Sequence, residues 1–250
     1  MLNRTGKPSR TRTKALDVAV KYFADNKGLF ATFAESVVKC LQEDHELGPY
    51  IQQIKYRIKS EERLRKKLER KVAKSGGGRT AFKSISALTQ EINDFAGIRI
   101  LHLHTTQFEK IDNCIKRVLK NEEIEIIEGP IAHCWDDDHE DFFKQLRIET
   151  TRSGSKPGPS DTMYASVHYI LRANKTGGVT CELQVRTLAD EIWGQVSHKV
   201  EYVDGQTNNQ VHELLKVLAR LTSASTRLVD CIFEAKDWEK KGRKWPSPRK

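Results

Sequence analysis

Two short segments with strict period-two alternation constrain the fold more than any other feature of the sequence. Residues 164–171, YASVHYIL, and 179–185, VTCELQV, carry apolar side chains at alternate positions, which is the pattern of half-buried β-strands. The residues between them include ANKTGG, a glycine-containing connection short enough for a hairpin. The segments therefore predict two paired strands in a sheet with one apolar face and one polar face.

The other apolar patterns predict two further strands and several helices around the sheet. FAGIRILHL (95–103) and EIEIIEG (123–129) are strand-like, and residues 105–120 form an amphipathic helix pattern. Helical periodicity also covers 14–43, with a break expected at DNKG. A basic helical segment follows and ends at SGGGR (75–79). Two late helices are expected at 187–202 and about 208–238. Residues 133–160 predict a short helix and a long loop. The expected class is α/β, a central sheet of parallel and antiparallel pairs flanked by helices.

Charge and composition limit the classes of protein to consider. The net charge is +9, and it is concentrated in a tail at 1–13, a tail at 239–250 and the basic helix, so the tails either are solvated or contact nucleic acid. No window approaches the roughly 18 apolar residues of a membrane span, and no apolar region follows the basic N-terminus. Five dispersed cysteines without a CxxC pair favour reduced thiols in a cytoplasmic protein.

Polar and charged residues occupy the predicted strands where a sheet normally avoids them. Asp94 precedes one strand, Arg99 lies within it, and Glu182, Gln184 and Arg186 alternate with the apolar residues of another. A single such charge is often a paired structural residue, but several neighbouring strands with polar faces favour a binding site. Asp94 and Glu182 can share Mg²⁺, which prefers hard oxygen ligands.

The basic segment KYRIKSEERLRKKLERK supplies cationic groups for the same predicted site. Arg57 and Lys59 are expected at the start of a helix, and Lys67 follows eight residues after Lys59. Arginine and lysine side chains bind phosphate groups. A solvated amphipathic helix explains the same pattern, and composition alone leaves both interpretations open.

Several weaker patterns have simpler structural explanations. HCWDDDHED (133–141) suggests a metal site, but three adjacent aspartates cannot all face one ion, and capping of the next helix is simpler. His102 and His104 share a strand face without a visible third ligand. Trp193 is expected in the core. The last helix is more apolar than one face requires, so it is either core or an oligomer contact; its apolar residues are Leu214, Leu215, Val217, Leu218, Leu221 and Leu228.

Four segments together resemble a known family. RIKSEERLRKKLERK, DFAGIRI, YASVHYIL and ELQVRTLADEIWGQVSHKVEY are similar, in order and spacing, to the RelA/SpoT alarmone synthetase domain, and the chain resembles a small stand-alone member. The resemblance covers roughly residues 45–205, flanked by N-terminal helices at 14–44 and a C-terminal helix at 206–238. It implies a nucleotidyltransferase-like mixed sheet and Mg²⁺-dependent transfer of the β,γ-pyrophosphate of ATP to the 3′-hydroxyl of GDP or GTP, giving (p)ppGpp.

The resemblance also implies a role for each matching residue. Asp94 would hold Mg²⁺, and Glu182 would complete the metal site and act as general base on the 3′-hydroxyl. On the ATP side, Arg57 and Arg99 would sandwich the adenine, while Lys59 and Lys67 would bind the phosphates. On the acceptor side, Tyr164 would stack on the base and His168 would lie by the phosphates or ribose. The remaining acceptor contacts would come from Ser166, Gln184 and Arg186.

The acceptor side departs from the family pattern. The resembling synthetases have a Lys or Arg four residues before the stacking tyrosine, but this chain has Ser160, Asp161, Thr162 and Met163 there. Position 63, commonly a small residue, is Arg63. Two alternatives therefore stay open: a toxin-type enzyme that pyrophosphorylates the 3′ end of tRNA, and a non-catalytic module that binds RNA or a protein partner. A homo-oligomer is also expected.

Overall fold

The computed structural model describes residues 10–74, 92–152, 163, 165–174, 179–203 and 209–242. These ranges contain six strands and six α-helices. The helices are α1 (Arg10–Glu43), α2 (Glu61–Lys74), α3 (Phe108–Asn121), α4 (Asp137–Gln145), α5 (Leu188–Val203) and α6 (Asn209–Lys240). The strands are β1 (Gln53–Ile58), β2 (Ala96–His102), β3 (Ile124–Cys134), β4 (Glu149–Arg152), β5 (Ser166–Ala173) and β6 (Thr180–Thr187). Short 3₁₀ turns occur at Gly48–Tyr50 and Thr105–Gln107.

The strands form one mixed sheet in the order β1-β2-β6-β5-β3-β4. β2 and β6 are parallel, as are β3 and β4, while the remaining neighbours are antiparallel. The predicted antiparallel pair is confirmed, because Tyr169 of β5 lies opposite Leu183 of β6. The predicted α/β class with a mixed sheet is also confirmed.

The apolar face of the sheet packs against α1 and α3, and α2 packs on α1. Phe23 and Phe30 of α1 contact Phe95, with ring centroids 5.3 Å and 4.8 Å from it. Tyr169 is fully buried, and its hydroxyl donates a 2.8 Å hydrogen bond to Asp112 of α3. This packing fixes one side of the sheet, so the alternate side chains of β2, β5 and β6 face the other side.

The break expected at DNKG is wrong, because α1 continues through Gly28 to Glu43. A glycine inside a helix costs only about 1 kcal/mol relative to alanine. Phe23 and Phe30, on either side of this segment, are both buried in the same core. Burying a phenylalanine contributes about 2 kcal/mol or more, so tertiary packing outweighs the local helix-breaking signal.

Three strand predictions also need correction. Residues 53–58 form strand β1 instead of the start of the basic helix, so Arg57 lies on a strand and Lys59 lies between β1 and α2. β1 pairs with β2 along its whole length, which supplies hydrogen bonds that the local pattern could not reveal. β3 extends to Cys134, and β4 occupies part of the expected long loop.

The apolar content of the helices is modest throughout. Within the described ranges, we find no helix that combines the length and the apolar character needed to span a membrane. All five cysteines carry free thiols, and Cys114, Cys134 and Cys181 are buried.

Candidate functional site

The register of the sheet aligns the predicted polar residues in two rows across its open face. Arg57, Gly97 and Glu182 lie side by side on β1, β2 and β6. Two residues away along the strands, a second row extends to β5 and consists of Lys55, Arg99, Gln184 and His168. Directly opposed residues in a sheet project to the same face. The sheet therefore gathers these cations, amides and carboxylates in one surface.

A cleft of about 190 Å³ opens over β1, β2 and β6. Gly97 lines this cleft, opposite Arg57 on β1 and two residues before Arg99 on β2, and a Cβ atom at Gly97 would meet no atom within 4 Å. The missing side chain thus leaves open the space beside both guanidinium groups. The lining residues are Lys55, Tyr56, Arg57, Gly97, Ile98, Arg99, Glu182, Gln184 and Gln195.

Asp94 is held between two lysines at the entry to β2. Its Oδ2 atom lies 2.5 Å from Lys59 Nζ and 2.7 Å from Lys67 Nζ. Burial alone would raise the pKa of the Asp94 carboxyl, but the two ammonium groups hold it below its ordinary value. Burial lowers the pKa of Lys59 to about 8, opposed by the charge of Asp94. The Oδ1 atom of Asp94 is buried and has no hydrogen-bond partner among the described residues.

Glu182 is the second carboxylate of this face. Its Oε1 atom lies 3.0 Å from His168 Nδ1, and its Oε2 atom accepts a 2.9 Å hydrogen bond from Gln184 Nε2. Burial would raise the pKa of Glu182, but the hydrogen bond and charge of His168 lower it. Asp94 opposes that lowering and Lys67 adds to it. Glu182 is therefore ionised and electrostatically coupled to the cluster around Asp94.

Gln184 connects the arginine side of the cleft to Glu182. Its Oε1 atom accepts hydrogen bonds from Arg99 Nε at 3.2 Å and from Arg186 Nη2 at 2.6 Å. Its amide nitrogen donates to Glu182. Since one amide contacts three charged side chains, Gln184 and Arg186 here organise the centre of the face. Arg186 is itself buried, with only 3% of its surface exposed.

Glu191, in the first turn of α5, was missed by the sequence analysis. Its Oε1 atom lies 2.5 Å from Lys55 Nζ and 3.2 Å from Arg99 Nη1, and its Oε2 atom lies 3.3 Å from Arg186 Nε. Burial would raise the pKa of Glu191, but these cations, Arg186 foremost, lower it. The available signal was the acidic pair DE (190–191) two residues after the strand ELQVRT, in the first turn of a helix, where acidic residues are common.

The β5 side of the face carries histidines and partnerless polar atoms. The rings of His133 and His168 lie 4.3 Å apart, and Thr151 is 3.2 Å from His133 Nδ1. Burial, followed by the proximity of His168, lowers the pKa of His133 to about 4, so this imidazole is neutral. Ser166 Oγ and His168 Nε2 are buried and have no hydrogen-bond partner within the described part of the chain. Tyr164 lies outside the described residues.

The segment preceding β5 is anchored to α5. The backbone N–H of Ala165 donates a 3.2 Å hydrogen bond to Asp190 Oδ1, and Thr187 Oγ1 donates a 2.6 Å bond to Asp190 Oδ2. Asp190 is buried, and burial raises the pKa of its carboxyl. The acidic pair at the start of α5 therefore fixes both sides of the face: Asp190 positions the entry to β5, and Glu191 positions the cations beside the cleft.

The weaker sequence candidates have structural roles. Asp136 caps α4 and accepts a 3.0 Å hydrogen bond from the backbone N–H of His139, which confirms the capping interpretation. Across the described ranges, no three His, Cys, Asp or Glu side chains are grouped as a metal site. His102 Nδ1 is 3.0 Å from the His104 carbonyl. Trp193 is buried as predicted, and its indole N–H donates to the Leu215 carbonyl at 3.0 Å.

The cleft, the lysines and the two carboxylates suit a polyphosphate ligand. Asp94 and Glu182 are ionised oxygen donors, and the buried Oδ1 atom of Asp94 lacks a partner. Mg²⁺ is bound in proteins by one or two carboxylates together with water and substrate phosphates. The donor set therefore fits a Mg²⁺–nucleotide complex, with the guanidinium groups of Arg57 and Arg99 available for a base.

Comparisons with known proteins agree with this architecture. A family model described as a region found in RelA / SpoT proteins matches residues 56–207. GTP pyrophosphokinase YwaC from Bacillus subtilis is 26% identical over 170 residues, covering 66% of this chain and 63% of that protein. The chain thus spans less than two thirds of the length of this curated relative.

Solved structures show the same fold at lower identity. Small alarmone synthetase 1 from Bacillus subtilis superimposes with a TM-score of 0.54 at 15% identity, covering 88% of this chain and 99% of that one. The same synthetase bound to its product pppGpp gives a TM-score of 0.51 at 15% identity, covering 81% and 91% of the two chains. At these identities the similarity establishes the mixed-sheet fold.

Proposed function

We propose, because the chain belongs to the RelA/SpoT family, that it transfers the β,γ-pyrophosphate of ATP to the 3′-hydroxyl of GDP or GTP and so makes (p)ppGpp. One observation carries this proposal: two ionised carboxylates, Asp94 and Glu182, share one face with a pair of lysines and an arginine-lined cleft. The activity of the curated relative, a GTP pyrophosphokinase, supports the same reaction.

The donor half of the proposed site consists of Arg57, Lys59, Lys67, Asp94 and Arg99. The adenine would enter the cleft beside Gly97 and stack between the two guanidinium groups, where a planar cation contacts a π-system favourably. Burial, with the repulsion of Arg99, lowers the pKa of Arg57, so the binding of an electron-rich base and polyphosphate relieves a crowded set of cations. Lys59 and Lys67 would then contact the phosphates.

Mg²⁺ is proposed as the cofactor, with Asp94 and Glu182 as its protein ligands. When bound, it would neutralise phosphate charge and polarise the β-phosphorus. Lys59 and Lys67 are ion-paired with Asp94 Oδ2. Their ammonium groups would therefore already lie beside the phosphates that accompany the ion. Of the two carboxylate oxygens of Asp94, Oδ1 has no protein partner among the described residues.

Glu182 is the proposed general base. Its carboxylate is ionised and would accept the proton of the 3′-hydroxyl as the 3′-oxygen bonds to the β-phosphorus and AMP leaves. His168 and Gln184 each donate to one oxygen of Glu182, which holds the carboxylate in a fixed orientation. Most of the rate acceleration in such transfers comes from positioning and charge stabilisation.

The acceptor half consists of His133, Tyr164, Ser166 and His168, with Gln184 and Arg186 at its border. Ser166 Oγ and His168 Nε2 lack partners among the described residues, and burial of an unpaired polar group costs about 1–3 kcal/mol. A ribose or phosphate oxygen would satisfy them. Tyr164 would stack on the acceptor base. These acceptor roles are part of the proposal. The proposal also includes tRNA as an alternative acceptor, a cytoplasmic location and self-association.

The test is a transfer assay with γ-labelled ATP, Mg²⁺ and, separately, GDP, GTP or deacylated tRNA, resolved by chromatography. We expect label in a guanosine tetra- or pentaphosphate with the wild-type chain. Glu182→Gln should abolish this product, whereas Glu125→Gln, a control on the distant end of β3, should not. Label in tRNA alone, or no transfer to any of the three acceptors, would overturn the proposal.

A further inference from the structure

The amide side chain of Gln195 lies on the α5 side of the arginine-lined cleft. Gln195 lines the cleft together with residues of β1, β2 and β6, and it is exposed. It follows Glu191 by one helical turn, and residues four positions apart are neighbours on a helix surface. Gln195 Nε2 donates a 2.6 Å hydrogen bond to Glu191 Oε1. One end of this amide is therefore fixed, and the other end is at the edge of the cleft.

Glu191 determines which end of the Gln195 amide is fixed. Burial would raise the pKa of Glu191, but Arg186, foremost, and the hydrogen bonds of Lys55 and Gln195 lower it, so this carboxylate is ionised. An ionised carboxylate only accepts hydrogen bonds, so the nitrogen of the Gln195 amide must face it. The Oε1 atom of Gln195 is thereby turned away from Glu191. No group in the described part of the chain donates a hydrogen bond to that oxygen atom.

The other polar side chains of the cleft offer donors, or acceptors that already have partners. Its three cationic side chains have only donors. The oxygen of Gln184 accepts two arginine hydrogen bonds, and both oxygens of Glu182 have partners. The Tyr56 hydroxyl donates to Glu35 of α1. Among the lining side chains, Gln195 thus supplies the acceptor that remains for a ligand.

The chemistry of adenine matches this single acceptor. The hydrogen-bond donor of the adenine base is its 6-amino group, and an amide oxygen is the acceptor that proteins commonly present to it. Arg99 would meet the base by its face and not its edge, because its Nε and Nη1 atoms already donate to Gln184 and Glu191. Recognition of the edge of the base is therefore left to α5.

We propose that Gln195 Oε1 accepts a hydrogen bond from the 6-amino group of the donor nucleotide and so selects ATP as the donor. This inference rests on the proposed function, because that function places the base of the donor in the arginine-lined cleft. A 6-oxo base such as guanine or hypoxanthine sets its O6 atom against Gln195 Oε1, and two acceptors repel each other. Gln195 thus keeps GTP out of the donor cleft, so that GTP serves as acceptor only.

The test compares donors that differ only at position 6 of the purine. With GDP in excess as acceptor, the nucleoside monophosphate that is released identifies the donor and gives its kcat/KM. Purine riboside triphosphate lacks the 6-amino group, and the wild-type chain should use ATP about 3- to 10-fold better, as for one neutral hydrogen bond. ITP carries O6, and its kcat/KM should be at least about tenfold below that of ATP.

Gln195→Met keeps the length of the side chain and removes both polar atoms. The kcat/KM for ATP should fall to the value for purine riboside triphosphate, so that the ratio of the two approaches one. A purely structural role would lower both donors alike and leave the ratio unchanged, which would overturn the assignment. Gln42→Met, the same replacement at an exposed position of α1, is the matched control and should keep the wild-type ratio. Monophosphate release from none of the donors would overturn the proposed function and this inference with it.

Glu191→Gln tests the orientation of the Gln195 amide. An amide beside another amide allows either end of Gln195 to face the cleft, so a 6-oxo base is then able to find a donor. The kcat/KM for ATP should fall more than that for ITP, and the ratio of ATP to ITP should drop about threefold or more. A ratio equal to that of the wild-type chain would contradict the role of Glu191 in fixing the amide.

Discussion

The donor and acceptor halves of the proposed site are built in different ways. In the donor half, ion pairs join Asp94 to Lys59 and Lys67, Glu191 holds Arg99 and Lys55, and Asp94 Oδ1 is without a partner among the described residues. In the acceptor half, buried Ser166 and His168 atoms lack partners within the described residues, and His133 is neutral. The donor half is thus organised before ligand arrives, and the acceptor half still has hydrogen bonds to offer.

This difference has a consequence for binding order and for specificity. An organised set of ion pairs loses little conformational freedom when a ligand enters, so ATP should bind without the acceptor. Unpaired buried groups discriminate strongly against ligands that fail to satisfy them. Acceptor identity should therefore depend on the β5 side and on the segment before it.

Glu182 borders both halves, so its loss should have the largest effect. Glu182→Gln keeps the shape and the Gln184 contact but removes the base and a proposed metal ligand. Because general-base catalysis contributes about 10²–10⁴-fold, kcat should fall at least 10²-fold, whereas KM for ATP should change little. Steady-state transfer assays measure both, and Glu125→Gln serves as the control. A kcat within a few-fold of wild type would remove Glu182 from the chemistry.

Arg99 tests whether the donor half binds ATP through stacking. Arg99→Lys keeps the positive charge but loses the planar guanidinium, and a desolvated cation–π contact contributes up to about 2 kcal/mol. KM for ATP should rise about 10- to 30-fold, with KM for the acceptor unchanged. Arg65→Lys, an exposed position on α2 paired with Asp17, should leave both values at the wild-type level. Equal changes in both KM values would contradict the separation of the halves.

Glu191 tests whether the donor half is organised in advance. Glu191→Gln leaves three buried or half-buried cations without their shared counter-ion. We expect the free energy of unfolding to fall by about 2 kcal/mol, the typical value of a hydrogen bond to a charged group. KM for ATP should rise several-fold because Arg99 loses its anchor. Urea denaturation and kinetics measure these effects, and an unchanged KM for ATP would show that Arg99 is positioned by Gln184 alone.

His133 should give the smallest effect, and it should be confined to the acceptor. His133→Phe keeps a ring against His168 and removes the contact with Thr151. Since the His133 pKa of about 4 makes it neutral at pH 7, no charge is lost. KM for the acceptor should rise only a few-fold, as for one neutral hydrogen bond. A change in KM for ATP, instead of KM for the acceptor, would contradict the placement of His133 in the acceptor half.

The sequence predicted the part of the fold that depends on local pattern. The alternation in β5 and β6 identified the strands and their polar face, and Glu182, Gln184 and His168 do share that face. β1 was missed because a strand of six residues with Lys55, Tyr56 and Arg57 is recognisable only from its pairing with β2. A four-residue strand such as β4 has too few positions for a periodic signal.

Site residues were likewise predictable only where the local sequence carried a signal. Asp94 was identifiable because it is a lone carboxylate before an apolar strand. Glu191 was not, because an acidic residue in the first turn of a helix is common for electrostatic reasons alone. Its role follows from three cations that converge on it from β1, β2 and β6, and such convergence exists only in the folded sheet.

The most direct test of the two-half account is calorimetric titration of the chain with α,β-methylene-ATP and Mg²⁺ in the absence of any acceptor. The account predicts binding to the wild-type chain at a one-to-one ratio, an affinity at least tenfold weaker for Arg99→Lys, and unchanged affinity for His133→Phe. Binding that requires GDP or GTP, or that is lost with His133→Phe and kept with Arg99→Lys, would contradict it.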